Sequence, residues 1–214
     1  MSNFNTPFGL KPVETLNGAN WNAKVRLAYV SASYSTALFV GDPVDIDITN
    51  SHKITPYCMT VIAANVAGPT LGVIVGIPQE IAGIPQFTGA YAGGYPNLNQ
   101  NYLPASTGGY VYVTYDMGDI IYEVQGDAYA AFNANWVGWN ANLKLTAAGS
   151  TVTGLSGYNM DTGTTTAPAT TTTLGWKIIG APNRPDNDTT SVNAKWWIIN
   201  NNVRIGNQIA GIGS

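Results

Sequence analysis

The sequence predicts an all-β chain: a single β-barrel or β-sandwich domain with an extended N-terminal arm and long loops. Three features lead to that class. Short apolar runs recur with alternating polarity, Gly, Pro, Asn and Thr separate them, and hardly any segment carries the 3.6-residue apolar period of a helix. With 214 residues the chain can bury about 70 % of its unfolded surface, and barrels and sandwiches of this length are commonly one unit.

Residues 1–16 read as the arm and 17–214 as the β domain. Within Asn3 to Thr15, Pro7, Gly9 and Pro12 interrupt Phe4, Phe8, Leu10 and Val13, which predicts extended chain with apolar anchors rather than a regular element. Asn17-Gly18 signals a tight turn. Lys24, Arg26 and Ala28 then alternate with Val25, Leu27 and Tyr29, a half-buried strand. In the run from Leu38 to Ile48, Pro43 marks an edge or bulge, and Val44, Ile46 and Ile48 oppose Asp45 and Asp47. A strand is predicted over Ile54 to Ala64, and Leu71 to Ile77 reads as a short buried strand.

From Pro78 to Gly109 the chain turns rich in Gly, Pro, Asn and aromatics and poor in charge, a long loop or extended hairpin of the kind that forms interfaces. Tyr110–Tyr115 and Ile120–Gln125, separated by four residues, predict a β-hairpin. Asp127 to Trp139 is the one stretch with room for a short helical turn, and Asn142–Thr146 resumes a strand. Thr162 to Thr173 is a Thr-rich surface loop. Leu174–Gly180 is a strand, and Lys195–Ile199 with Val203–Ile205 predicts a final strand pair.

Composition narrows the function. Only 10 % of residues are charged, against about 25 % in ordinary domains. Aromatics are frequent, the pattern of surfaces that face other proteins. A net charge of −3, a pI near 4.9 and no Lys/Arg cluster argue against a nucleic-acid partner. No apolar stretch approaches the ~20 residues of a membrane helix, and the N-terminus lacks a signal-peptide pattern, so synthesis in a cytoplasm is expected.

Chemical motifs are sparse. Cys58 and His52 stand alone, which removes disulfide frameworks and His/Cys metal sites. Asp45 and Asp47, with Asp42 nearby, form a D-x-D that the strand alternation places on a solvated face. Glu123 and Asp127 would need to converge to act as an acid/base pair, and the predicted hairpin sends them to a strand end and the turn beyond. Asp186-Asn187-Asp188 lacks the rest of a calcium loop and reads as Asx-turn chemistry. No catalytic residue, cofactor site or metal site is assigned. Trp196 and Trp197, adjacent in a strand, face opposite sides, so one is expected in the core and the other exposed or covered by a partner.

Several segments in order resemble a family of tailed-bacteriophage head-decoration, or capsid cement, proteins. They are Thr6-Pro7-Phe8-Gly9-Leu10-Lys11-Pro12-Val13, Leu38-Phe39-Val40-Gly41-Asp42-Pro43-Val44, Leu71-Gly72-Val73-Ile74-Val75-Gly76, Val111-Tyr112-Val113 through Tyr122-Glu123-Val124-Gln125, and Arg184-Pro185-Asp186-Asn187 with Ile198-Ile199-Asn200-Asn201-Asn202. The resemblance implies a catalytically inert, β-rich virion protein on the outer face of the capsid, bound to the major capsid protein. It also implies self-association, with a homotrimer favoured over a homodimer. The long aromatic loop and the Thr-rich loop depart from the family pattern. Phe4, Phe8 and Leu10 are then the expected capsid-binding anchors of a removable arm, and Tyr91, Tyr95, Tyr102 and Trp197 the expected subunit interface. The alternatives are a low-copy tail, neck or fibre component, and a carbohydrate-binding host-recognition protein that exposes Trp196, Trp197 and the Tyr-rich loop.

Overall fold

The computed structural model describes residues 3–47, 59–63, 68–87, 97–116 and 118–205. His52, Cys58, Tyr91 and Tyr95 lie outside them. The described chain is all-β, built as a closed barrel beside a five-stranded sheet.

The first strand, β1 (Lys11–Thr15), belongs to the sheet. The barrel follows, from β2 (Arg26–Val30), β3 (Pro43–Ile46), β4 (Met59–Ala63), β5 (Gly72–Gly76) and β8 (Gly109–Val113) in the order β2-β4-β3-β5-β8. Between β5 and β8, two short strands, β6 (Glu80–Ile81) and β7 (Ile84–Pro85), make a small hairpin in the long loop. The sheet takes β9 (Ile120–Gln125), β10 (Asn140–Ala141), β13 (Trp176–Gly180) and β14 (Lys195–Asn200) in the order β1-β9-β14-β13-β10. A further pair, β11 (Leu143–Leu145) and β12 (Tyr158–Met160), supplies Leu143, Tyr158 and Met160 to the sheet's core. The helical turn expected after Asp127 is a single 3-10 turn at Ala134–Trp136.

Each body has its own buried cluster. Inside the barrel are Ala28, Val30, Val44, Ile46, Val61, Ile74, Val111 and Val113, small and β-branched side chains that fit a narrow five-stranded interior. Under the sheet, Tyr122, Trp176 and Trp196 are buried with Val124, Ile178 and Ile198. All six residues of β9, which lies between β1 and β14, are buried. Barrel and sheet meet where Thr114 donates to the Val73 carbonyl from its amide (3.0 Å), accepts from the Val73 amide (2.9 Å) and shares a hydrogen bond with the Tyr122 hydroxyl (2.9 Å). Gly72 has no room for a side chain there: a Cβ would lie 1.4 Å from the Thr114 carbonyl oxygen.

Five expectations are corrected. The segment from Asn3 to Thr15 contains a regular strand, β1, because Lys11–Thr15 pairs with the edge of β9. In β2 the inward face is Ala28 and Val30, while Leu27 and Tyr29 are half-buried outside, where Tyr29 meets Tyr110 edge-on across the β2–β8 pair at 5.2 Å. The predicted hairpin of β8 and β9 does not form: β8 has both edges taken, by β2 and β5, so β9 joins the sheet instead. The final strand pair fails for the same reason. Strand β14 lies between β9 and β13, so Val203 bridges to Thr70 beside the barrel. Finally, Asp45 and Asp47 are buried rather than solvated, and the returning Arg204 forms a two-pronged ion pair with Asp45, its Nε donating at 2.6 Å.

Candidate functional site

The N-terminal segment crosses both bodies. Asn3 is held at both ends of its amide: Nδ2 donates to the Asp188 carbonyl at 2.7 Å, and Oδ1 accepts from the Asp188 amide at 2.9 Å. Two residues on, Asn5 accepts from Gln125 Nε2 (2.8 Å), and the Thr6 amide donates to Gln125 Oε1 (3.1 Å). Between these clamps the Phe4 side chain is 86 % exposed. The backbone is pinned and the ring is presented to solvent.

Further along, Gly9 adopts φ +71°, and a Cβ there would lie 2.5 Å from the Gly41 carbonyl oxygen and from Ser156 Cβ. That close approach lets the Leu10 amide donate to Gly41 (2.9 Å) and drives the Leu10 side chain, only 2 % exposed, into the sheet's core.

Beside this strap runs a groove of about 640 Å³ between barrel and sheet. Phe8, Leu10, Trp21, Val40, Ile74 and Leu155 supply its apolar walls. One rim carries alternating charges: Arg184 donates to Glu123 (2.6 Å) and to Asp186 (2.8 Å), and Lys195 pairs with Asp186. The Lys195 and Arg184 hydrogen bonds hold the Asp186 carboxyl down at about 2, and Glu123 holds the Arg184 guanidinium above its ordinary value. Asp186 and Arg184 are therefore both ionised near neutral pH. Two buried polar atoms of the groove residues, Trp21 Nε1 and Glu123 Oε2, have no hydrogen-bond partner among the described residues.

The structure separates the predicted anchors. Phe4 is exposed, Phe8 is half-buried along the groove, and Leu10 is a core residue of its own chain, a correction to its expected role as an external anchor. Residues 9–15 cannot act as a detachable arm, since they carry this core contact and the β1 ladder. Of the expected subunit interface, Tyr102 is half-buried and stacked on Phe39 (5.2 Å, 12°). Trp196 is fully buried and Trp197 is half-buried on the opposite face, as adjacent strand positions require.

Glu123 and Asp127 have separate partners. Asp127 accepts from the Thr162 and Thr164 hydroxyls and from the Tyr129 and Thr162 amides. The Asp188 carboxylate accepts from Thr190 and Ser191, the local turn chemistry expected of it. No group of three or more His, Cys, Asp or Glu residues is placed to hold a metal ion among the described residues.

Sequence reasoning missed the strap's clamps and the charged rim. The signal available was the company of Arg184, Asp186 and Lys195 in a chain with few charges, but their convergence on Glu123 depends on the order of the strands. Comparison with protein-family models, curated proteins and solved structures gives no match to this chain.

Proposed function

We propose that this chain is a non-enzymatic virion structural protein, a capsid decoration protein that binds the outer surface of a phage shell and stabilises it. The observation that supports this reading best is Phe4. A large aromatic ring held out on a backbone clamped at Asn3, Asn5 and Thr6 has already lost most of the freedom that binding would remove, the arrangement of a preorganised interface anchor. The ordered family-like segments and the low charge content point the same way. A modest contact repeated over many shell subunits adds up, because each bound copy favours the assembled state by mass action.

The test is the copy number of the chain relative to the major shell protein in purified particles, by quantitative mass spectrometry. A ratio near one to one or one to two supports decoration. A handful of copies moves the protein to the neck, tail or fibre, and its absence ends the virion reading. A Phe4→Ala variant, folded but impaired in binding to heads, would tie the contact to this ring.

A further inference from the structure

On the sheet's side of the molecule a second, smaller pocket of about 330 Å³ opens between the β11–β12 pair and the loop after β9. Asn5, Asp127, Tyr129, Lys144, Asn159 and Thr164 line it. Its volume lies at the lower end of small-molecule sites. Three of its side chains have binding capacity that the fold does not use.

Asn159 is 1 % exposed, yet its Oδ1 has no hydrogen-bond partner among the described residues, while its Nδ2 makes one long bond to Gly126 (3.4 Å). A buried acceptor left open is costly unless something fills it. Lys144, opposite Asn159 in the β11–β12 register, has no ion pair among the described residues. Asp127 does not neutralise it through a direct bond, because its two oxygens are engaged by Thr162, Thr164 and backbone amides. The Tyr129 ring lies against Gly163, where a Cβ would come within 2.7 Å of it, and the residue is still 65 % exposed. It is an aromatic platform with backbone support on one side.

An aromatic platform, an open amide acceptor and an unpaired ammonium match a ring with an apolar face, hydroxyl donors at its edge and a carboxylate. We propose that this pocket binds an acidic saccharide, with the pyranose face on Tyr129, a hydroxyl donating to Asn159 Oδ1 and the uronate carboxylate on Lys144. The pocket shares Asn5 with the N-terminal strap, but Tyr129, Lys144 and Asn159 belong neither to the groove nor to the Phe4 clamp, so the proposal stands whether or not the chain decorates a capsid.

The experiment is an amide NMR titration of the whole chain with trigalacturonate, and with maltotriose as the neutral counterpart. The expected result is saturable shifts centred on Tyr129, Lys144, Asn159 and Thr164 with trigalacturonate. Affinity should fall at least about tenfold in both Tyr129→Ala and Lys144→Ala, and weaken with added salt. Both substitutions remove side chains that are not buried, and the unperturbed amide spectrum of each variant checks its fold. Absence of shifts at the pocket, or affinity unchanged in the two variants, overturns the site. Equal binding of maltotriose overturns the assignment to an acidic sugar.

Discussion

Asp116 offers the sharpest test of how barrel and sheet are joined. It is 1 % exposed, its Oδ1 accepts from the Gly118 amide at 2.7 Å, and its Oδ2 has no hydrogen-bond partner among the described residues. Burial pushes its carboxyl from 3.8 to about 6, against the pull of the Gly118 amide and the Tyr122 hydroxyl. A carboxyl whose folded pKa is raised binds more protons in the folded than in the unfolded chain, so its contribution to stability declines as pH rises from 3.8 through 6. At 1.36 kcal/mol per pKa unit the full penalty is about 3 kcal/mol, and about 2 kcal/mol of it falls between roughly pH 4.5 and 7.5.

Asp116→Asn keeps an acceptor for Gly118 and removes the charge. Urea unfolding of both proteins should show the variant gaining about 2 kcal/mol on the native chain when the pH is raised from about 4.5 to about 7.5. This window avoids the carboxylates Asp186 and Asp188, which their hydrogen bonds hold down at about 2 and whose contributions fade only as pH falls below about 4. A stability difference that stays constant across the window would refute a buried, uncompensated carboxylate at this junction.

Four further outcomes follow from the geometry. Asp42, also raised to about 6 by burial, should behave alike, so the double variant Asp42→Asn/Asp116→Asn should lose most of the native protein's decline in stability above about pH 4.5, measured by the same unfolding series. Leu10→Ala should cost about 2–5 kcal/mol in chemical denaturation, whereas Phe4→Ala should stay within about 0.5 kcal/mol; equal costs would contradict their placement in core and solvent. Arg204→Ala leaves Asp45 buried without its ion pair and should destabilise by about 1–3 kcal/mol, with Asp45→Asn in the same background restoring part of the loss. Gly72→Ala should yield little soluble folded protein on expression, because its Cβ meets main chain rather than a movable side chain.

Much of the secondary structure is legible in local pattern. Leu71–Ile77, Leu174–Gly180 and Lys195–Ile199 announce themselves by apolar runs and β-branched or aromatic residues, and they appear as β5, β13 and β14. The adjacent Trp196 and Trp197 had to part, since strand geometry sends neighbours to opposite faces, and only the buried one could be core. The Asx chemistry at Asp188 was also readable, because it needs only residues two and three positions on.

The candidate site was less visible. Phe4 was identifiable as an apolar residue in a proline-interrupted segment. Its distinction from Leu10 was not, because composition cannot tell which of two apolar residues meets the chain's own core. The pocket at Asn159 depends on β11 pairing with β12 and on a threonine loop turning back to Asp127 across more than thirty residues, contacts that no local pattern marks.

Alternation, turn residues and the shortage of helical period determined, from the sequence alone, that this chain is all-β and where most of its strands lie. Which strands pair was decided by tertiary structure, because a strand has two edges and the sequence pattern marks faces. Once β2 and β5 occupy β8, and β9 and β13 occupy β14, the adjacent segments Ile120–Gln125 and Val203–Ile205 have no edge to join and must travel to the other body. That displacement brings Arg204 to Asp45 and β9 to β1, and with β9 it sets Glu123 beside Arg184 and Gln125 beneath the N-terminal strap.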